Sequence, residues 1–278
     1  MRVMVLGATG LLGQALMREW SGDEVIGLSS RQVDLRDERK VRETVEGIRP
    51  DWIVLAAAYT NVDGCETNQE LAFAVNRDGA AHVAEAARGI GARLLFISSD
   101  YVFDGTKKSP YETDDRRNPL SVYGRSKDEA EIRLQELMPE SCIVRTSWLF
   151  GTGGKCFPDT ILKLAGTRPA LDVVNDQSGC PTYSIDLARA ILQLCRHSAG
   201  GIVHVTNAES CTWFEFAREI VKQSGSATEV RPITTEQMPR PAVRPAYSVL
   251  SSASLEPFGI KMPRWQDALA RYLRERNL

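Results

Sequence analysis

Apolar residues along this chain fall into two rhythms. Arg2–Leu6, Glu24–Leu28, Trp52–Leu55, Arg93–Ile97 and Cys142–Arg145 are short, nearly continuous apolar runs, the pattern of strands buried on both faces of a sheet. Between them lie stretches of helical period: Gly13 to Trp20, Asp37 to Gly47, Glu66 to Gly89, and Tyr123 to about Met138. In Glu66–Gly89 the residues Leu71, Ala72, Val75, Ala80, Val83, Ala84 and Ala87 recur on one face, which predicts one long helix. Strands alternating with helices imply right-handed crossovers, so the expected class is α/β: a Rossmann-type doubly wound parallel sheet.

After Gly151 the pattern changes. Loops lengthen and carry Pro158, Pro169 and Pro181. Helical runs fall at Asp186–Arg196 and Trp213–Ser224, with the apolar run Gly201–Val205 between them. Pro232, Pro239, Pro241 and Pro245 crowd one segment, too many for a central strand or helix. Pro263–Arg276 closes the chain as an amphipathic helix. Residues 1–150 are expected to form a dinucleotide-binding domain, completed by part of 180–205. Residues 151–278 are expected to be a smaller, mainly substrate-binding region packed against it.

Bulk properties narrow the function classes. The 278 residues carry 34 basic and 36 acidic side chains with no block of like charge, which disfavours nucleic acid or an anionic membrane as the main partner. No apolar run reaches the roughly 18 residues a membrane span needs. The six cysteines (65, 142, 156, 180, 195, 211) form no C-x-x-C pair, and the three histidines have no ligand spacing. A reducing, cytoplasmic compartment without structural zinc is the expectation.

Gly7, Gly10 and Gly13 follow the first strand and open a helix. In that context glycines let the loop turn tightly and let backbone approach a pyrophosphate, while the helix N-terminus favours the anion. The spacing is G-x-x-G-x-x-G, with Leu11 and Leu12 between the last two glycines. At the end of the second strand, where an acid would hold the ribose hydroxyls of NAD, the chain has Ser29-Ser30-Arg31. Hydroxyls and a guanidinium suit a 2′-phosphate, so NADPH is expected, with NADH use left open. Asp34 and Leu35 are placed to edge the adenine, and Ala56, Ala57, Ala58 and Tyr59 follow the third strand at the same cofactor site.

Tyr123 and Lys127 stand four residues apart at the start of a helix, on one face. An ammonium beside the phenol would favour phenolate and draw the tyrosine pKa down from its usual value of about 10. Such a phenol can exchange protons near neutral pH. Ser99 ends an apolar strand, at the edge of a parallel sheet where ligands bind.

With both motifs in place the chain resembles the extended short-chain dehydrogenase/reductase superfamily. Five further stretches, Ala56–Asp63, Ser98–Gly105, Arg145–Gly151, Asp176–Thr182 and Arg244–Leu250, resemble signatures of the dTDP-4-dehydrorhamnose reductases. That resemblance implies NADPH-dependent reduction of the C4 ketone of dTDP-4-dehydro-L-rhamnose to dTDP-L-rhamnose, with Ser99, Tyr123 and Lys127 catalytic and Lys127 also on the cofactor ribose. It places Val62, Asp63, Tyr101 and Trp148 on the sugar and makes Arg244 the candidate for the diphosphate. Ser248 stands where the family often has Asn, which leaves its role open. Some relatives carry Mg²⁺ through acidic side chains at a dimer contact. Gln14 stands where an acid would help, so no metal site is expected, and homodimer formation is left open. Two alternatives remain at this point: another nucleotide-sugar epimerase or dehydratase, which would recycle its NAD, and a non-catalytic regulatory subunit similar to that of methionine adenosyltransferase.

Overall fold

The computed structural model describes residues 1–276. Six parallel strands form the central sheet: β1 (Arg2–Leu6), β2 (Glu24–Leu28), β3 (Trp52–Leu55), β4 (Arg93–Ser99), β5 (Cys142–Thr146) and β6 (Gly201–His204). Their order across the sheet is β6-β5-β4-β3-β1-β2. The chain runs from β1 outward to β2 and then returns to β3 on the other side of β1. That reversal opens a crevice at the carboxyl ends of β1 and β3, where doubly wound sheets bind ligands.

The period-2 rule sorts the strand side chains into two cores. Val3, Val5, Val54, Leu95 and Val144 face one way, against Leu12 and Leu16 of α1 (Leu11–Glu19) and Leu187 and Ile191 of α8 (Ser184–Arg196). Met4, Leu6, Ile53, Leu55, Leu94 and Phe96 face the other, against Val41 and Val45 of α2 (Glu38–Ile48), Val83 and Ala87 of α5 (Gly79–Ile90) and Leu134 of α6 (Val122–Leu137). All of these are buried, each apolar side chain contributing about 1.5–3 kcal/mol on leaving water. The expected class is therefore the observed one. All six cysteines are free and buried, and among the described residues no helix is long and apolar enough to cross a membrane.

One expected element divides. Glu66–Gly89 is not a single helix but α3 (Val62–Thr67), α4 (Gln69–Phe73), a π-helical turn (Ala74–Asp78) and α5. Asn68 breaks the run with φ −125° and ψ 55°. The π turn brings Asn76 inward, where its side chain accepts from the Tyr59 backbone N–H (2.7 Å) and donates to the Tyr59 carbonyl (3.1 Å) and the Ser126 hydroxyl (2.9 Å). A buried amide thus ties the loop after β3 to α6.

Beyond β5, α7 (Phe157–Ala165) and α9 (Trp213–Gln223) pack beside the parallel strand pair 170–174 and 229–233, and α10 (Trp265–Arg276) packs on α9. The proline-rich segment 239–250 returns over the carboxyl edge of the main sheet. Backbone bonds hold it there: Tyr111 N–H to the Val249 carbonyl (2.8 Å) and Ser248 N–H to the Ser178 carbonyl (2.8 Å).

Candidate active site

The glycine loop lies at the crevice. Gly7 has φ +91°, and a Cβ there would stand 2.6 Å from the Ala57 backbone N, so only glycine lets the loops after β1 and β3 touch. A Cβ on Gly13 would stand 2.1 Å from the Gly7 carbonyl oxygen, which holds α1 tightly against its loop. Gly10 is the N-cap of α1 and has no side chain to cap it, leaving the first-turn N–H groups free for an anion. Leu12 points into the core and Leu11 is half-buried. A cleft of about 420 Å³ beside this loop is lined by Gly7, Ser30, Asp34, Leu35, Arg36, Ala57 and Ala58, together with Leu71 and Val75. Apolar Leu35, Leu71 and Val75 and polar Ser30, Asp34 and Arg36 line it together.

Of the expected cofactor residues, Gly7, Ser30, Asp34, Leu35, Ala57 and Ala58 line the cleft, whereas Arg31 is exposed and does not. The guanidinium on the wall is Arg36, paired with Asp34 at 2.5 Å. This ion pair holds the Asp34 carboxyl below its usual range. Ala56 donates its N–H to the Leu6 carbonyl (3.0 Å), and Tyr59 is the backbone partner of Asn76.

Helix α6 begins beside this crevice. The Ser121 hydroxyl caps it by accepting from Gly124 N–H (3.1 Å), and Glu66 accepts from Val122 N–H (2.8 Å). These caps fix Tyr123 in the first turn, half-buried, with its ring edge-on to Tyr101 at 5.8 Å. Ser99 ends β4 close to the Tyr123 phenol, and Lys127 follows one turn further along α6.

The expected electrostatics need correcting. Lys127 does not pull the phenol down: burial pushes the Tyr123 pKa well above its ordinary value, with the nearby Ser99 hydroxyl opposing only part of that shift. The Lys127 ammonium itself is buried, donates to the Ile97 carbonyl (2.6 Å) and lies 3.9 Å from the centroid of the Phe96 ring. Desolvation brings its pKa down to about 7, against the raising influence of Glu131. Sequence spacing supplied the shared helix face, but removal from water dominates both pKa values.

The sugar-side residues gather at the mouth. Asp63, in the first turn of α3 beside Val62, holds the Arg244 guanidinium at 3.1 Å and Arg240 at 3.6 Å. Tyr101 is half-buried, and the nearby Arg244 guanidinium offsets part of the rise that burial imposes on its phenol. Trp148 stands in the left-handed region (φ 47°) and stacks face to face on Trp213, with centroids 3.5 Å apart. Gly179 packs directly on its indole, where a Cβ would come within 2.5 Å. Gln177, within the Asp176–Thr182 stretch, is buried and donates to the Thr235 hydroxyl (2.9 Å). Gln14 donates to the Thr9 and Gly153 carbonyls (2.8 and 2.7 Å). Among the described residues no cluster of three or more His, Cys, Asp or Glu side chains could hold a metal.

Across its whole length, residues 1–278, the chain matches the family model described as the RmlD substrate binding domain. It is 38% identical to the dTDP-4-dehydrorhamnose reductase of Sinorhizobium fredii, over 98% of this chain and 96% of that one. The chain belongs to the dTDP-4-dehydrorhamnose reductase family. It is also 43% identical to the spore coat polysaccharide biosynthesis protein SpsK of Bacillus subtilis, over 99% of this chain and 98% of the relative. The dTDP-4-dehydrorhamnose reductase of Bacillus anthracis, solved in complex with NADP, superposes with a TM-score of 0.96 at 38% identity and covers 99% of both chains.

Four parts of the site escaped the sequence reading: Asn76, Arg36, Trp213 and the hydrogen bond from Ser248 to Asp100 (2.6 Å). The aromatic residue opening α9 was the one available signal for Trp213. The other three depend on contacts between distant parts of the chain.

Proposed function

We propose that this chain reduces the C4 ketone of dTDP-4-dehydro-L-rhamnose to give dTDP-L-rhamnose, with NADPH as reductant. The observation that carries the reading is that Ser99, at the carboxyl end of β4, stands close to Tyr123, with the buried Lys127 one turn along α6 and bound to the Ile97 carbonyl, on the same sheet edge as the glycine loop. The pyrophosphate belongs at the N-terminus of α1, the adenosine against Ser30, Asp34, Leu35 and Arg36, and the nicotinamide ribose at Lys127. When bound, NADPH supplies a hydride to the ketone carbon.

The chain's own residues supply the rest. The balance is ketone plus NADPH plus one proton going to alcohol plus NADP⁺. Tyr123 gives its phenolic proton to the C4 oxygen, and its raised pKa keeps the phenol in the acid form across neutral pH. The Ser99 hydroxyl donates to the same oxygen and stabilises negative charge as it develops. Arg244, with Arg240 beside it, leaves a cationic excess over Asp63 at the mouth, suited to a diphosphate. Val62, Tyr101 and Trp148 wall the sugar. The relatives' names support the substrate, and the NADP complex of one of them supports the cofactor.

NADPH oxidation with dTDP-4-dehydro-L-rhamnose, followed by identification of the sugar product, tests the reading. Net oxidation separates a reductase from an epimerase or dehydratase that recycles its NAD. A Tyr123→Phe variant should bind NADPH normally and lose turnover by about 10²–10⁴-fold. A near-normal rate in that variant would sink the assignment.

A further inference from the structure

Asp100 is 2% exposed and sits directly behind Ser99. Every polar contact it makes is to a hydroxyl or a backbone group. The Ser99 Oγ lies 2.9 Å from Oδ1, and the Ser248 Oγ, from the proline-rich segment, lies 2.6 Å from Oδ2. Ser99 Oγ also accepts the Tyr101 backbone N–H at 3.2 Å. Tyr101 in the same turn, Tyr123 of α6 and Cys180 are the titratable groups that feel the Asp100 charge. Arg244 is paired with Asp63.

The donor inventory gives this arrangement a consequence. A serine hydroxyl has one proton and two acceptor sites, and an ionised carboxylate can only accept. When Asp100 is ionised, the single Ser99 proton is committed to Oδ1, and Ser99 has nothing to donate to a substrate oxygen. When Asp100 is protonated, its O–H donates to Ser99 Oγ. The Tyr101 N–H fills the second lone pair, and the Ser99 proton is free to point at the ketone. Ser248, donating to Oδ2, keeps the carboxyl proton on the Ser99 side.

We propose that Asp100 is a positioning residue that works as a neutral acid, setting the direction of the Ser99 hydrogen bond so that Ser99 donates to the substrate oxygen. The inference rests on the reductase reading above and extends it to a residue that need not touch the reacting atoms. Burial supports it by pushing the Asp100 carboxyl up to about 7, against the opposing hydrogen bonds from Ser248 and Ser99. Near neutral pH the residue therefore stands at its switching point.

The test is the pH profile of kcat for NADPH oxidation by the whole chain, read beside difference infrared spectra. Wild-type kcat should fall about tenfold per pH unit above an inflection near neutrality. Asp100→Asn keeps the geometry, because its amide N–H₂ donates permanently to Ser99 and its carbonyl accepts from Ser248, so the alkaline limb should vanish. Ser248→Ala removes a hydrogen bond that holds the carboxyl pKa down, so the limb should move to higher pH. The infrared spectra should show a protonated-carboxyl band at pH 6 that is lost by pH 9 and is absent from Asp100→Asn. Lys127 titrates in the same window. A limb that persists unchanged in Asp100→Asn would belong to Lys127 and overturn the inference, as would a carboxyl band that Asp100→Asn retains. Failure of the wild-type chain to oxidise NADPH with the 4-dehydro sugar would overturn the reductase reading, and the infrared result would still decide the protonation state of Asp100.

Discussion

Two carboxylates are buried near the carboxyl edge of the sheet, and their surroundings give them opposite chemistry. Glu131 of α6 is wholly enclosed, with its oxygens held by Arg145 (2.7 Å), by Arg117 (2.9 Å) and by the Ser98 hydroxyl. Its carboxyl lies below the usual range even though burial pushes the other way. Asp100 is equally buried but is met by serines, and it rises to about 7. Burial alone therefore does not decide whether an acid is ionised. A cation in contact makes Glu131 a permanent anion that binds α6, β5 and the loop before α6 together. Its absence leaves Asp100 able to exchange a proton beside Ser99. His204, next to Arg145, shows the mirror effect: burial and the neighbouring guanidinium bring it down to about 3, so it stays neutral.

Arg145→Met should break the contrast most severely. It leaves Glu131 buried without its main cation, which typically costs about 3–5 kcal/mol, measured by chemical denaturation. Adding Glu131→Met in the same chain should recover part of the loss, since two apolar side chains need no charge compensation. A loss below 1 kcal/mol in the single variant would mean that Arg145 does not hold Glu131 ionised.

Asp100→Asn should act in the opposite sense. The folded pKa of Asp100 is raised from 3.8 to about 7, so the folded state holds its proton longer than the unfolded chain. Its stabilising contribution is complete below the unfolded pKa and is lost as pH rises through the folded one. Asparagine does not titrate. The variant should therefore gain stability relative to wild type between pH 5 and pH 8, by roughly 3 kcal/mol. A constant difference across that window would show that Asp100 ionises normally.

This contrast also marks how far sequence reasoning reached. The strands, the glycine loop and the Tyr123–Lys127 face are local patterns, written within a few residues, and they were legible. The partners that set the chemistry are not local. Asp100 meets Ser248 148 positions away, and Asp63 meets Arg244 181 positions away. Lys127 was legible as a cation near a phenol, but its desolvation depends on Phe96 and the Ile97 carbonyl, which only the folded sheet brings to it. Within Glu66–Gly89 Asn68 breaks the helix, and the π turn at Ala74–Asp78 has a related, non-local reason. Asn76 turns inward to satisfy Tyr59 and Ser126, and a tertiary hydrogen bond outweighs the local preference for an unbroken α-helix.

Arg117→Met probes the finer grain of the same comparison. Arg117 comes from the loop before α6, is partly exposed and is shared between Asp128 (2.9 Å) and Glu131 (2.9 Å). With Arg145 still in place, Glu131 should remain ionised, so the expected loss is about 1 kcal/mol, near the upper end for partly exposed pairs. The Asp128 carboxyl, already raised by burial, should rise further once its guanidinium is gone. NMR titration of the two side chains should therefore show Asp128 moving and Glu131 staying low. If Glu131 moved as far as it does in Arg145→Met, the two arginines would share the charge equally, and the buried anion would owe its ionisation to the loop as much as to the sheet.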